Sequence, residues 1–394
     1  MISVTEAKAI IHKSIDQLAP VNLPLAEAAG LVLAEDVYSS VDIPAYHQSS
    51  MDGYALSFSG WKQYKKLKIE GKVAAGDDEK LLSDPQKAVR IFTGAAVPEG
   101  ADTVVMQEKI KTENGLLLIE DEKLQEGSNV RPKGSEIKKG ELALVKGSLL
   151  SPAAVGFLAG IGITEVSVYP KPVVRIIVTG KELQQPGKPL QHGQVYESNS
   201  FTLTAALQKL NITHVKVIWA DDDLEALTGI LKEALMVSDV VLLTGGISVG
   251  DYDFVLKATV KCGVVQFFHK IRQRPGKPLF FGKKESKLVF GLPGNPSSVL
   301  TCFYEYVLPA LGKLCNKETG LQVLKVPLAK DFQKQPGLTH FLKGLYDGKT
   351  AMVLDAQESY RLSSYAKANC LIQINEEVTA CKEGEMVEIH LFPF

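Results

Sequence analysis

Tryptophan is scarce in this chain, with 2 among 394 residues, and cysteine is sparse, with 5. Those cysteines (Cys262, Cys302, Cys315, Cys370 and Cys381) are odd in number, widely spaced and free of any Cys-x-x-Cys pair. The pattern argues against a disulfide framework or a structural zinc site, and their apolar neighbours mark them as small buried thiols. An excess of one charge is also missing. With 44 basic and 45 acidic residues the net charge is −1, so no overall field favours nucleic acid or an anionic membrane, and any anion site must be local. The apolar runs, such as Val237 to Leu243 interrupted by Ser238 and Asp239, fall far short of the roughly 20 residues that span a bilayer. Met1-Ile-Ser-Val-Thr-Glu-Ala-Lys has no basic segment followed by an apolar one, so the expected location is cytoplasmic. Three catalytic signatures are absent: Gly-x-x-x-x-Gly-Lys-Ser/Thr, Gly-x-Gly-x-x-Gly after a strand and His-Glu-x-x-His.

What is present is a folding chain, 45% hydrophobic and 23% charged, longer than a single core usually supports. Ser3-Val-Thr-Glu6 is a capping box, and Ala7, Ile10, Ile11, Ile15 and Leu18 share one helical face until Asn22-Leu-Pro24. From about Asp42 to Pro132 short β-prone runs alternate with Gly, Asp and Asn, the pattern of a small β domain. Around Glu136 to Val168 strand-like pieces surround a helical Pro152-Ala-Ala-Val-Gly-Phe-Leu-Ala159; this region is expected to pack with the N-terminal helix, making the β domain an insertion. After Pro170-Lys-Pro172, strands at Val173 to Val178, His214 to Trp219, Asp239 to Leu243 and Leu288 to Gly291 alternate with helices, which implies a parallel sheet covered on both faces. Beyond Cys315 short strands return as a C-terminal β domain. The fold class is therefore multidomain α/β plus β, with expected boundaries 1–41 with 135–169, 42–134, 170–316 and 317–394.

In a parallel α/β sheet ligands bind beyond the carboxyl ends of the strands. Thr244-Gly-Gly-Ile-Ser-Val-Gly-Asp-Tyr-Asp253 follows one strand, and its Gly245-Gly246 pair with Thr244 and Ser248 suits either an anion cradle or a tight turn. Gly291-Leu-Pro-Gly-Asn-Pro-Ser-Ser298 follows another; Asn295 and Pro296 fit a helix cap as well as a phosphate-facing turn stiffened by Pro293. Lys270, Arg272, Arg274 and Lys277 crowd four cations into eight residues, either to neutralise an oxyanion or as a solvated basic hairpin. Asp52, Glu182, Asp221 to Asp223, Asp251 and Asp253 are candidate oxygen ligands for magnesium, although the Asp221 to Asp223 run also suits capping of the helix from Leu224. His47 stands alone, which favours a structural role.

Taken in order, Ser50-Met-Asp-Gly-Tyr-Ala55, Thr93-Gly-Ala-Ala-Val-Pro-Glu-Gly-Ala-Asp102, the Thr244 and Gly291 loops and Arg274-Pro-Gly-Lys-Pro278 resemble the molybdopterin molybdenumtransferase family, of MoeA type and related to the gephyrin E domain. The resemblance implies a central MogA-like α/β domain with a mostly parallel sheet, a β-rich insertion, a discontinuous N-terminal α/β linker domain and a C-terminal β-barrel-like domain. It also implies a homodimer with its site at the subunit interface, adenylylated molybdopterin and molybdate as substrates, AMP as product, and Mg2+ as helper.

Position by position, Asp52, Thr93, Glu182, Asp222 and Asp253 would be catalytic, the last three also holding Mg2+. Thr244, Gly245, Gly246, Ser248, Gly250, Pro293, Gly294, Asn295, Pro296 and Ser297 would shape the pterin loops. Lys270, Arg274 and Lys277 would meet molybdate or phosphate, and Lys343 with Ser363 or Ser364 would reach in from the C-terminal domain. Arg274 and Lys343 depart from the family's expected lysine and arginine, which alters oxyanion geometry there. Expected protein partners are a molybdopterin adenylyltransferase or a molybdoenzyme. The rival readings are an adenylyltransferase, whose activity needs only the α/β core, and a gephyrin-like scaffold without catalysis.

Overall fold

The computed structural model describes residues 1–246 and 254–393. The chain divides into two compact units, Met1–Val21 with Tyr169–Phe394, and Asn22–Val168.

In the first unit a six-stranded sheet runs in the order Val215–Ala220, Val174–Thr179, Val240–Thr244, Lys287–Leu292, Pro278–Lys284, Val265–Lys270. The first four strands are parallel, as the alternating pattern predicts. The last two are antiparallel, so the basic stretch is the bend after a sheet strand rather than a free hairpin. Successive residues of a strand face opposite ways. Ile176, Val178 and Leu242 therefore enter a core with Leu203, Ala206 and Leu207 of helix Asn199–Lys209. Ile177, Val241 and Leu243 enter a second core with Leu227, Leu231 and Ala234 of helix Leu224–Val237. Both faces are covered, which is why these strands lack polar alternation.

Helix Val4–Ser14 begins with both bonds of the predicted capping box, Glu6 N to Ser3 Oγ at 3.1 Å and Ser3 N to Glu6 Oε2 at 2.6 Å. It ends at Ser14, short of Leu18, whose amide donates to the Leu314 carbonyl. Val4, Ala7 and Ile11 join the core of the first unit, with the strands and helices of the α/β sheet. The C-terminal strands Thr339–Tyr346, Cys370–Ile374, Met386–Leu391 and Gln322–Pro327 form a sheet onto which the short strand Gln273–Arg274 adds at Thr339 and His340.

The second unit holds a six-stranded sheet in the order Thr103–Met106, Gly53–Leu56, Lys87–Ile91, Lys66–Val73, Leu116–Ile119, Ile110–Glu113. Ala55, Val89 and Val104 point into one core, and Leu56, Ala88 and Val105 into another. A third core gathers Leu25 and Leu33 with Ile137, Leu150, Leu158 and Val166, segments that flank the β sheet in sequence.

A buried charge cluster ties three distant segments of the first unit. Glu305 sits in a π-helical turn, Phe303–Val307, with 3% of the residue exposed. Lys8 Nζ lies 2.6 Å from its Oε2 and His390 Nδ1 2.6 Å from its Oε1, while His390 Nε2 reaches Glu388 at 3.0 Å. Burial alone would raise the Glu305 pKa, but the Lys8 charge and the His390 hydrogen bond outweigh it and hold the carboxyl low. Burial likewise disfavours protonated His390, yet the hydrogen bond and charge of Glu305 leave its pKa raised. Lys8→Met is expected to cost about 1–3 kcal/mol, less than a fully buried pair because the Lys8 side chain is 38% exposed. A group with a raised folded pKa stabilises fully below its unfolded pKa and loses that contribution as pH rises through the folded value. In Lys8→Met, where His390 is the remaining cation, stability should therefore fall more steeply than in wild type from neutral to alkaline pH, read by urea unfolding across pH.

Candidate functional site

Three of the parallel strands stop at one level. Val178 pairs with Thr244 and Thr244 with Leu292, so Gly180, Gly245 and Pro293 all emerge at the same edge of the sheet. Gly245 has φ +86°, and a Cβ there would lie 2.3 Å from the Thr179 carbonyl oxygen. Turn geometry thus demands glycine, and the same absence of a side chain opens the backbone to a ligand. The strand ends and the loops above them bound a cleft of about 670 Å³. Its walls include Glu182, Gly245, Gly246, the run Gln273 to Pro278, Pro293, Gly294, Asn295 and Ser298, with Leu338 and Gln357 to Tyr360 from the C-terminal strands' side.

Arg274 and Lys277 stand exposed on either side of buried Pro275 and Gly276. Neither side chain has an acidic partner within 4 Å among the described residues. Their neighbour Arg272 differs: its Nε meets Glu376 Oε2 at 2.8 Å, so of the four predicted cations it is consumed by an internal pair. Lys270 is half-buried and does not line the cleft. Glu182 also lines the cleft and is exposed. An electropositive rim beside a glycine-lined floor binds oxyanions, and one carboxylate facing it can share a cation with them.

The Gly291 loop is pinned from two sides. Pro296 opens helix Pro296–Cys302 as predicted, but Asn295 makes no side-chain cap bond. Its Nδ2 donates instead to Ser359 Oγ at 2.7 Å, and Ser297 N donates to the Ser359 carbonyl at 3.1 Å. From below, Asn199 Nδ2 donates to the Gly294 carbonyl at 2.9 Å. Ser297 and Thr244 are buried and Pro296 is half-buried, and none of the three lines the cleft.

Lys343 does not reach in. It is 2% exposed, and its Nζ donates to the carbonyls of Ala356 at 2.7 Å, Arg361 at 3.1 Å and Glu358 at 3.4 Å. Burial lowers its pKa to about 8. Its place is behind the loop that supplies Gln357 to Tyr360 to the cleft. Ser364 is buried and donates to Ala356 O at 2.8 Å, while Ser363 is exposed and outside the cleft lining.

Of the acidic run, Asp223 caps helix Leu224–Val237 by accepting from Glu225 N and Ala226 N at 3.0 and 2.9 Å. Asp222 remains half-buried at the sheet edge, outside the cleft lining. Ser248, Gly250, Asp251 and Asp253 lie outside the described residues. Among the described residues no group of three His, Cys, Asp or Glu side chains forms a metal cage.

Within the second unit Asp52 and Thr93 are joined. Asp52 Oδ1 accepts from both Thr93 N and Thr93 Oγ1 at 2.8 Å. These bonds, the amide first, hold the Asp52 carboxyl below its ordinary pKa, with Arg90 adding a smaller contribution. Arg90 itself stacks over Tyr54 and Phe92. Gly53 is required by close approach, since a Cβ would sit 1.9 Å from the Val105 carbonyl oxygen.

Sequence reasoning missed Gln273, Leu338 and Gln357 to Tyr360 as cleft residues. The last four follow a short strand with no periodicity or glycine to mark them. A second cleft of about 470 Å³, lined by Ile11, Ile15, Pro309 and Leu321 among others, holds none of the candidate site residues.

Three family models match the chain: the MoeA N-terminal region (domain I and II) over residues 2–162, a probable molybdopterin binding domain over 175–313, and the MoeA C-terminal region (domain IV) over 325–392. The molybdopterin molybdenumtransferase of Haemophilus influenzae is 36% identical over 380 residues, covering 94% of this chain and 93% of the relative. That of Staphylococcus epidermidis is 33% identical over 401 residues, covering 99% and 95%. The crystal structure of the molybdopterin biosynthesis MoeA protein of Pyrococcus horikoshii superposes with a TM-score of 0.79 at 30% identity and 100% coverage of both chains.

Thr93→Val removes the hydroxyl donor but keeps the amide, so the Asp52 pKa should rise part of the way to its ordinary value, read by carbon-13 carboxyl titration. A carboxylate with a depressed folded pKa stabilises above its unfolded pKa and loses that contribution as pH falls through the folded one. The variant should accordingly be less stable than wild type at neutral pH, with the difference shrinking as pH falls through the Asp52 pKa.

Proposed function

The chain belongs to the MoeA-type molybdopterin molybdenumtransferase family, and we propose that its cleft at the sheet edge is where molybdenum enters molybdopterin. The protein acts in molybdenum cofactor biosynthesis as a transferase: adenylylated molybdopterin and molybdate go in, and molybdenum cofactor and AMP come out. The observation that carries the site assignment is the pair of unpartnered cations, Arg274 and Lys277, beside Gly245, Gly246 and Gly294. Two guanidinium or ammonium groups without internal acids keep their charge for a dianion, and glycine backbone leaves room for the phosphate or dithiolene to approach.

The residues divide the work by chemistry. Arg274 and Lys277, with Lys270 nearby in sequence, neutralise molybdate or phosphate. Pro293 and Gly294 form the wall against which the pterin side of the substrate packs. The dithiolene sulfurs of the substrate would replace oxide on molybdenum, the oxide leaving as water with protons from the thiols and solvent and the metal keeping its oxidation state, while the protein chiefly orients and neutralises. Mg2+ commonly keeps several waters and takes one or two carboxylates together with substrate phosphates. Glu182 on the cleft wall fits that donor pattern, and Asp222 and Asp253 are the further acids we assign to it. When bound, the ion would draw electron density from the bond to AMP. We further infer a homodimer in which Asp52 and Thr93 of the partner subunit complete the site.

Purified protein incubated with adenylylated molybdopterin, Mg2+ and molybdate or tungstate should release AMP and form metallated cofactor in step. Consumption of ATP with accumulation of adenylylated pterin would overturn this reading in favour of an adenylyltransferase. Chelation of Mg2+ should abolish AMP release, and Lys277→Ala should raise the KM for molybdate about 10- to 100-fold, the loss expected for a charged hydrogen bond.

A further inference from the structure

We propose that Gln273, oriented by Tyr306, is a positioning residue that sets the spacing at which Arg274 and Lys277 meet the oxyanion. The inference rests on the functional reading above and adds to it residues that no sequence motif marked.

Gln273 is fully buried, at 0% exposure, directly before the exposed Arg274. A primary amide carries two hydrogens on nitrogen and an acceptor oxygen, and a buried one must satisfy them internally. Here Nε2 donates to the Pro275 carbonyl at 3.1 Å and to the Gly276 carbonyl at 3.1 Å, with Cys302 Sγ at 3.6 Å as a weaker third neighbour. The other end, Oε1, accepts from the Tyr306 hydroxyl. Tyr306 is 1% exposed in the π-helical turn. Burial raises its pKa well above the ordinary value, so the phenol keeps its proton and remains a donor.

The arrangement has one workable orientation. Flipping the amide would press its oxygen against two carbonyl oxygens and turn its N–H groups toward the phenol. Tyr306 therefore decides which way Gln273 faces, and Gln273 decides where the carbonyls of the turn lie. The Lys277 carbonyl is fixed separately, by Ile271 N at 3.0 Å. Beneath the turn, Gly276 has φ +85°, and a Cβ there would fall 2.5 Å from Cys302 Sγ and 2.8 Å from Gln273 Nε2. Three consecutive carbonyls, those of residues 275, 276 and 277, are thus held while the side chains at 274 and 277 stay free. That is the division a charged clamp needs: rigid backbone, unpaired charge.

The test uses the full chain and molybdate-dependent AMP release, with KM for molybdate and kcat measured separately. Tyr306→Phe deletes only the donor that orients Gln273, and Gln273→Glu keeps the acceptor for Tyr306 but loses the two donated bonds. Each should raise the molybdate KM on the order of 10- to 100-fold, with kcat changed by less than about twofold. Adding Tyr306→Phe to an Arg274→Ala, Lys277→Ala background should produce almost no further rise, because the residue acts through those cations. An unchanged KM in both single variants, or an equal rise in the doubly substituted background, would overturn the proposal. If Tyr306→Phe does not fold, Gln273→Glu decides by the same two criteria. Wild-type protein that releases no AMP would instead sink the functional reading. In that case molybdate affinity by calorimetry replaces KM, and an affinity unchanged in both variants overturns the positioning role.

Discussion

The level ending of three parallel strands is the constraint on which the cleft depends. Parallel pairing fixes Val178 beside Thr244 and Thr244 beside Leu292, so the chain must leave the sheet three times at one edge. Three departures within two strand spacings crowd the backbone. The Thr179 carbonyl occupies the space where residue 245 would carry a Cβ, whereas a Cβ on residue 294 would make only ordinary contact with the Gly245 Cα, at 4.0 Å. Glycine follows from that crowding, and an exposed backbone follows from glycine. A one-residue slip of the Val240–Thr244 strand would turn Val241 and Leu243 out of their core and take the glycine pair from the edge together. Packing of the sheet and position of the site are therefore one property.

Polar side chains then hold each wall by capturing backbone carbonyls. Lys343 takes those of Ala356, Glu358 and Arg361, Asn199 that of Gly294, and Gln273 those of Pro275 and Gly276. Carbonyl capture fixes loop shape without placing a charge pair in the cleft. The contrast with the cations is informative: Arg272 is consumed by Glu376, whereas Arg274, two residues on, is left without an acid. A surface ion pair at Arg274 would be worth at most about 1 kcal/mol, and a substrate dianion would have to break it. Leaving the cation free costs the fold little and keeps its full charge for the ligand.

The strands of the α/β sheet were legible in the sequence because burial on both faces makes them unbroken apolar runs, and the capping box at Ser3 and Glu6 was legible because it is wholly local. Asp52 and Thr93 were legible as motif residues, yet their mutual hydrogen bonds required the pairing of Gly53 with Ile91, which no local pattern encodes. Lys343 was misplaced because a buried lysine and a ligand-facing lysine share the same letter; only the three carbonyls around its Nζ distinguish them. Asn295 illustrates the same limit. Its position predicts an N-cap, but Ser359, 64 residues away, offers a better partner. For helix Val4–Ser14, amphipathicity tells which face is buried and not against what; its core partners in the α/β unit are set by tertiary packing.

The unpaired polar atoms carry the argument one step further. Among the described residues, Thr179 Oγ1, Thr244 Oγ1, Asn199 Oδ1 and Ser297 Oγ are buried side-chain atoms without a hydrogen-bond partner. Thr179 and Thr244 end the two strands that precede the glycine turns, Asn199 holds Gly294, and Ser297 adjoins Asn295. Each unsatisfied group costs about 1–3 kcal/mol, and valine would fill the threonine sites at equal volume without that cost. All four gather at the one edge where the cleft lies. Apart from Arg175, the other residues of those two strands are Val, Ile and Leu. Unsatisfied polarity therefore gathers at the cleft edge, whereas buried polar groups elsewhere in the unit, such as Glu305 and His390, are paired.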